Sequence, residues 1–198
     1  MIANMARFET AIARFDAANA QDPKTEMVDG VAHSKELVYA RRMSEWLKKL
    51  EPNASEALRL AARCQHIRRW TIPRSEYPIG RVGYNQWRTT LRKFHAEAAG
   101  EILHDVGYDE ATIHRVQDIL QKKRLKLDPE VQLMEDVICL VFLEHYFEAF
   151  ATQHDEDKLV GIVRKTWNKM SPRGHDAALA LNISLETLKV VQKALAER

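Results

Sequence analysis

The stretch DPEVQLMEDVICLVFLEHYFEAF, residues 128–150, decides the fold class. Asp128 offers a side-chain oxygen to the first free backbone N–H groups of a helix, and Pro129 suits the first helical position, where no N–H is needed. The helix predicted from there runs to about Thr152 and is apolar on most faces in its middle. A helix apolar all round must be wrapped by other elements. Its longest apolar run, Val137 to Leu143, is far below the roughly 18 residues of a membrane span. The expectation is therefore a central buried helix with no membrane partner.

Working outward, every other segment reads as helix or connection. Upstream, Asp109 caps a helix through Lys123, and Gly107 suits the C′ position of a long helix from about Tyr84 to Val106. Asn53 and Glu56 resemble a capping box for a helix carrying Leu58, Ala61, Ala62, Cys64 and Ile67, running to about Trp70. Leu37, Ala40, Met43, Leu47 and Leu50 form one stripe that Pro52 ends. Phe8, Ile12 and Phe15 mark a first helix. Downstream, Asp155 to Met170 is helical, Ser171-Pro172 restarts the chain, and Ser184 caps a last amphipathic helix. Asp22–Val31 reads as a loop. Thr71–Gly83, with Pro73, Pro78 and two glycines, is the longest internal irregular stretch, a kind of segment that tends to be functional. No segment alternates with period 2 for long, so no sheet is predicted. The result is an all-α fold, a single multi-helix bundle of about eight helices over residues 1–198.

The chain is 45% hydrophobic and 29% charged, which suits a globular protein and not a disordered one. No basic–apolar leader pattern opens it, and Cys64 and Cys139 lack metal spacing, so reduced thiols in the cytoplasm are expected. The charge is uneven. Between Arg63 and Lys93 eight basic residues face Glu76 alone, a local +7 in a chain of net +2, leaving −5 elsewhere. Lys122, Lys123, Arg124 and Lys126 form a second cluster. Such asymmetry suggests an anionic partner, the alternative being a solvated basic surface.

Two constellations carry chemistry. His33 heads the second helix, His66 lies in AARCQHIRRW, His95 opens HAEAAGEIL, and Glu135 and Asp136 sit inside the apolar helix, where a carboxylate needs a metal, an Arg or a Lys. Imidazole with carboxylate suits a single divalent ion such as zinc, iron or manganese. In QHIRRWTIPRSEYPIGRVGYNQWR, Arg68, Arg69 and Arg74 alternate with Trp70, Tyr77, Tyr84 and Trp87. Guanidinium groups grip phosphate and aromatic faces stack on bases, a mix that suits a nucleotide or RNA; ordinary packing anchors are the alternative. Lys122 and Lys123 could close the same rim. There is no P-loop, nucleophile elbow or paired-cysteine zinc motif.

The order His33 in HSKELVYARRM, His66 in AARCQHIRRW, then HAEAAGEILHDVGYDEATI and a late apolar Asp136 resembles the HD-domain metal-dependent phosphohydrolases over about residues 32–143. That resemblance implies an HD-like helical core, with the helices of residues 155–197 packed on it, and one metal held by His33, His66 and Asp136. Gln65 stands where that family has its paired His, and His66 where it has its Asp, so a dinuclear centre is not implied. His104-Asp105 looks more like the family doublet but falls at an exposed helix end. The whole chain also resembles an uncharacterised family, domain of unknown function 4202, through ELVYARRMSEWL, RCQHIRRWTIPRSEYP, GYNQWR, MEDVICLVFLEHYFEAF and KTWNKMSPRG. Some of its members carry a glutamyl-tRNA synthetase label. Lys169-Met170-Ser171 resembles the KMS loop of those enzymes, but no α/β nucleotide-binding pattern accompanies it.

The leading expectation is hydrolysis of a phosphate ester in a nucleotide-like substrate. Metal-bound water would attack, His95 or Glu135 would orient it, and Arg68, Arg69, Trp70, Arg74, Lys122 and Lys123 would hold the substrate. One alternative is a non-catalytic binder of nucleotide or RNA with a degenerate, metal-free site. Another is a helical protein-interaction module. Oligomeric state, substrate and pathway are not legible.

Overall fold

A computed structural model describes residues 2–196, with the side chains of 2–4 and 185 left aside. The chain is predominantly helical and divides into two compact units, Met1–Arg124 and Leu125–Arg198. Among the described residues no helix is long and apolar enough to cross a membrane.

The first unit holds α1 (Ile2–Asn19), a hairpin of β1 (Thr25–Val28) and β2 (Val31–Ser34), then α2 (Lys35–Leu50), α3 (Glu56–Cys64), α4 (Arg81–Val106) and α5 (Glu110–Leu120). Its centre is α3, on which Leu60, Ala61, Ala62 and Cys64 are wholly buried. Helices α1, α2 and α5 pack around it. Arg63 is drawn inward by a bidentate pair with Asp16 of α1, both N–O distances being 2.6 Å. The N-cap of α3 is Ser55, which accepts the Leu58 N–H, and not Asn53. The helix stops at Cys64, short of Trp70, because Arg68 adopts a left-handed conformation with φ 51°.

The hairpin corrects the reading of Asp22–Val31 as loop and the expectation of no sheet. Its strands are only four residues each, too short for alternation to register. Asp29 (φ 50°) and Gly30 (φ 79°) are both left-handed, the pair that a tight two-residue β-turn demands. His33 consequently lies on β2 opposite Glu26, before α2 begins, and does not head that helix.

The stretch 71–83 is a clasp. The Arg74 guanidinium donates to the carbonyls of Tyr77 and Pro78 at 2.8 Å each and of Gly80 at 3.4 Å. Trp87 Nε1 donates to the Ile72 carbonyl at 2.9 Å. A Cβ on Gly83 would lie 1.9 Å from the Pro78 oxygen, so only glycine lets α4 approach this loop. Helix α4 starts at Arg81, earlier than expected, and ends on Gly107 (φ 88°) as expected.

The second unit contains α6 (Pro129–His145), α7 (Phe147–Ala151), α8 (Glu156–Trp167), α9 (Pro172–Leu179) and α10 (Leu185–Ala196). The buried helix predicted from Asp128 is present, with Asp128 accepting from Glu130 and Val131, but it breaks at Tyr146. Phe147, Leu159, Val160, Val163, Val191 and Ala194 form this unit's core cluster.

Here Asp136 finds its partners. Its Oδ1 accepts from the Ser171 backbone N–H at 2.8 Å and from Gln132 Nε2 at 3.1 Å, and its Oδ2 from the Ser171 hydroxyl at 2.6 Å. Ser171 in turn caps α9 by accepting the Gly174 N–H at 3.2 Å. Lys126 Nζ donates to the Lys169 carbonyl at 3.0 Å and lies within reach of those of Asn168 and Met170. The KMSPRG segment is thus a helix end and restart, pinned by Lys126, Gln132 and Asp136. A Cβ on Gly174 would come within 2.7 Å of Asp136 Oδ1, which accounts for that glycine. Replacing Asp136 by Ala strands the half-buried N–H and hydroxyl of Ser171 and should cost about 1–3 kcal/mol in urea unfolding. Gly174→Ala should cost about 1–3 kcal/mol by crowding the carboxylate. A stability unchanged by either substitution would refute this structural role.

Candidate functional site

A buried carboxylate in the first unit organises the strongest cluster of ionisable groups. Glu36, in the first turn of α2, is 9% exposed. Its backbone N–H is held by Asp22 Oδ2 at 3.2 Å, and Asp22 itself is fixed by the turn into β1. Glu36 Oε2 lies 3.2 Å from His66 Nδ1, and Oε1 lies 3.9 Å from Arg69 Nε. Arg69 also places a terminal nitrogen 3.2 Å from His66 Nε2. A guanidinium has hydrogens only to give, so Nε2 accepts and the imidazole proton sits on Nδ1, facing Glu36.

Rings fix the imidazole plane. Tyr39, one helical turn after Glu36, stacks on His66 with centroids 4.0 Å apart and planes 12° apart. Its hydroxyl reaches Gln65 Oε1 at 3.3 Å. Arg69 lies over the Trp87 face, 4.6 Å from its centroid, and His95 stands 5.7 Å from His66, ring to ring. Asn19 at the end of α1 accepts the Arg68 N–H at 3.1 Å, which anchors the left-handed residue that turns Arg69 back toward His66.

Electrostatics follow from burial and from cations. Burial raises the Glu36 carboxyl to about 7, although Arg69, Lys35 and Lys24 oppose the rise. His66 is held well below the usual imidazole range by burial first, then by Arg69, Arg88, Lys122 and Lys35. His95 is lowered in the same way by burial, then by His66, Arg69 and Arg88. Four cations thus act on one imidazole, against a single carboxylate that gives up its charge near neutrality. Strongly perturbed groups gathered in one place mark functional sites more often than structural ones.

The sequence-derived candidates divide accordingly. His66, His95 and Arg69 come together, with Lys122 close enough to act on His66. Arg68 contributes its backbone, and Trp70 is half-buried beside it. Arg74 serves the loop clasp, and Lys123 pairs with Asp118 at 2.6 Å on the surface. His33 is not among the described partners of His66. Glu135 and Asp136 are buried in the second unit, where Asp136 holds Ser171. His104 and Asp105 are exposed, as expected.

The donors do not fit the metal that the HD resemblance implies. Both nitrogens of His66 are engaged, one by a carboxylate and the other by a guanidinium that stands where a second cation would be repelled. Both oxygens of Asp136 accept hydrogen bonds within its own unit. Among the described residues no group of three or more His, Cys, Asp or Glu side chains is placed to hold an ion.

Glu36 and Tyr39 were not among the sequence candidates. An acid in a first helical turn reads as an ordinary partner for the helix dipole. The signal lay in the stripe: Met43, Trp46, Leu47 and Leu50, continued backward at helical spacing, reach Tyr39, Ala40 and Glu36, all of them buried.

These features define a helical domain with an ion-paired histidine site on a basic rim. A family model covers residues 9–191, and the chain belongs to that family, the domain of unknown function DUF4202. No curated protein and no solved structure matches it.

The buried imidazoles give a pH signature. His95 resists protonation in the folded chain, so below about pH 6.5 the unfolded chain takes up a proton that the folded chain does not. Its contribution to stability is full above that pH and is lost as pH falls. Glu36 acts in the opposite sense: its folded value near 7 lies above 4.5, so its contribution fades as pH rises through that window. His95→Phe should therefore flatten the acid side of the urea-stability profile by roughly one proton, about 1.4 kcal/mol per pH unit. An unaltered slope would mean that His95 charges freely in the fold.

Proposed function

We propose that the chain binds a nucleotide-like phosphate ester at Arg69 and hydrolyses it with the Glu36–His66 pair as its acid–base group. The observation that carries this reading is the shared guanidinium: Arg69 bridges Glu36 and His66 Nε2 with no other carboxylate in that pairing. A phosphate is a stronger bidentate partner for Arg69 than the half-neutralised Glu36. Its arrival would release His66 Nε2 toward the ligand while Nδ1–H stays oriented by Glu36. In that arrangement Nε2 takes a proton from water, the water oxygen bonds to phosphorus, and the ester P–O bond breaks. The departing oxygen then receives the proton from His66. Arg88 and Lys122, which already act on His66, add positive potential for the phosphate. Tyr84, 44% exposed and 5.9 Å from Trp87, offers a ring face to a base.

The reading replaces metal-bound water by an imidazole base, because the guanidinium and a divalent ion compete for one place. It predicts turnover of nucleoside monophosphates in the presence of chelator, with kcat rising as pH passes about 7, where Glu36 ionises. Affinity should move the other way, tightening as acid neutralises Glu36 and frees Arg69. Glu36→Gln should lower kcat by about 10²–10⁴ while binding stays tight and loses its pH dependence. Arg69→Ala should weaken binding about ten- to a hundredfold. Binding without turnover would reduce the protein to a nucleotide binder. Turnover that requires manganese would restore the metal-dependent reading, and neither binding nor turnover would remove both.

A further inference from the structure

His95 carries a lone pair that none of the described residues uses. It lies on the inner face of α4 and is 4% exposed. A backbone hydrogen bond with Gln65 occupies one ring nitrogen, while Nε2 is buried with no hydrogen-bond partner. A ring nitrogen meeting a carbonyl must donate. The other nitrogen of a neutral imidazole is then an acceptor, and leaving it unmatched is costly. Nearly all buried polar atoms are satisfied, so an orphan beside a cluster of perturbed groups points to a ligand.

The surroundings restrict that ligand's chemistry. Its group at His95 must be a hydrogen-bond donor. Arg69 and Arg88 both act on His95, which disfavours an ammonium there. A neutral hydroxyl meets both conditions. His66 is the neighbouring ring, 5.7 Å away, so the hydroxyl would belong to the same molecule whose phosphate meets Arg69 and His66. Polyol and sugar phosphates are esters with a hydroxyl close to phosphorus, and the aromatic face of Tyr84 favours a sugar phosphate that bears a base.

We propose that His95 accepts a hydrogen bond from a sugar hydroxyl, so that the site selects ribonucleotides over their deoxy counterparts. The inference rests on the phosphate reading of the same site. Discrimination of this kind is strong when a site is built to bond a hydroxyl, because the analogue leaves a buried group unpaired. Gln65 and α4 hold the ring in place, and Phe94 meets it edge-on at 6.0 Å, so the acceptor is preorganised.

Calorimetric titration of the full chain with adenosine 5′-monophosphate and its 2′-deoxy and 3′-deoxy analogues tests the proposal. One deoxy analogue should bind about tenfold or more weakly. His95→Phe should abolish that ratio while still binding the deoxy compound, and His95→Gln, which keeps an acceptor, should retain part of it. Equal affinity of the wild-type chain for all three overturns the role of His95 without touching the phosphate site, and needs no variant to fold. A ratio that survives in His95→Phe does the same. If none of the three binds, the phosphate reading fails and this inference with it.

Discussion

A carboxylate taken out of water must be matched or neutralised, and Glu36 shows both responses at once. Arg69 stands near one oxygen and His66 near the other, yet burial still lifts its pKa to about 7. An isolated buried carboxylate would cost several kcal/mol, so the elements around it cannot move independently. Asp22 pins the start of α2, Asn19 pins the turn at Arg68, and Tyr39 clamps the His66 ring. The start of α2 and the turn that carries His66 and Arg69 thus meet at that one carboxylate.

The same constraint explains why the site is organised around a guanidinium. Arg69 is planar, sits on Trp87, and cannot readily give up its charge, so it tolerates burial better than a lysine would. Burial first, and then Arg69, lower the His66 pKa and leave a neutral ring whose proton position is set by its neighbours. A neutral, oriented imidazole next to a cation is suited to proton transfer near an anion. A site built for a divalent ion instead needs free lone pairs on several donors, and both ring nitrogens of His66 are taken.

The second unit illustrates a structural use of similar residues. Asp136 is buried more deeply than Glu36, but its oxygens accept from the neutral donors Ser171 and Gln132, and among the described residues no cation partners it. From sequence the two acids look alike, or even favour Asp136, because its apolar neighbours advertise burial. Glu36 lies amid lysines and arginines, and its burial is set by the rotation of α2. Which acid meets histidine is a matter of packing, and no spacing rule encodes it.

Much of the helical architecture was legible because it is local. Asp128-Pro129, Asp109 and Ser171 start the helices expected of them, and Gly107 ends α4, since capping depends on a few adjacent residues. The basic-aromatic character of residues 63–93 was equally plain. The short hairpin escaped because four-residue strands show no period, and the break at Tyr146 escaped because the apolar pattern runs through it. What the sequence by itself determined was a helical chain with His66, Arg69 and His95 in a basic stretch. Only the tertiary structure decided that Glu36 joins them, that Arg74 closes a loop, and that Asp136 serves Ser171. Those outcomes depend on which buried polar atoms meet across elements far apart in the chain, and hydrogen-bond satisfaction in the interior is settled by three-dimensional packing alone.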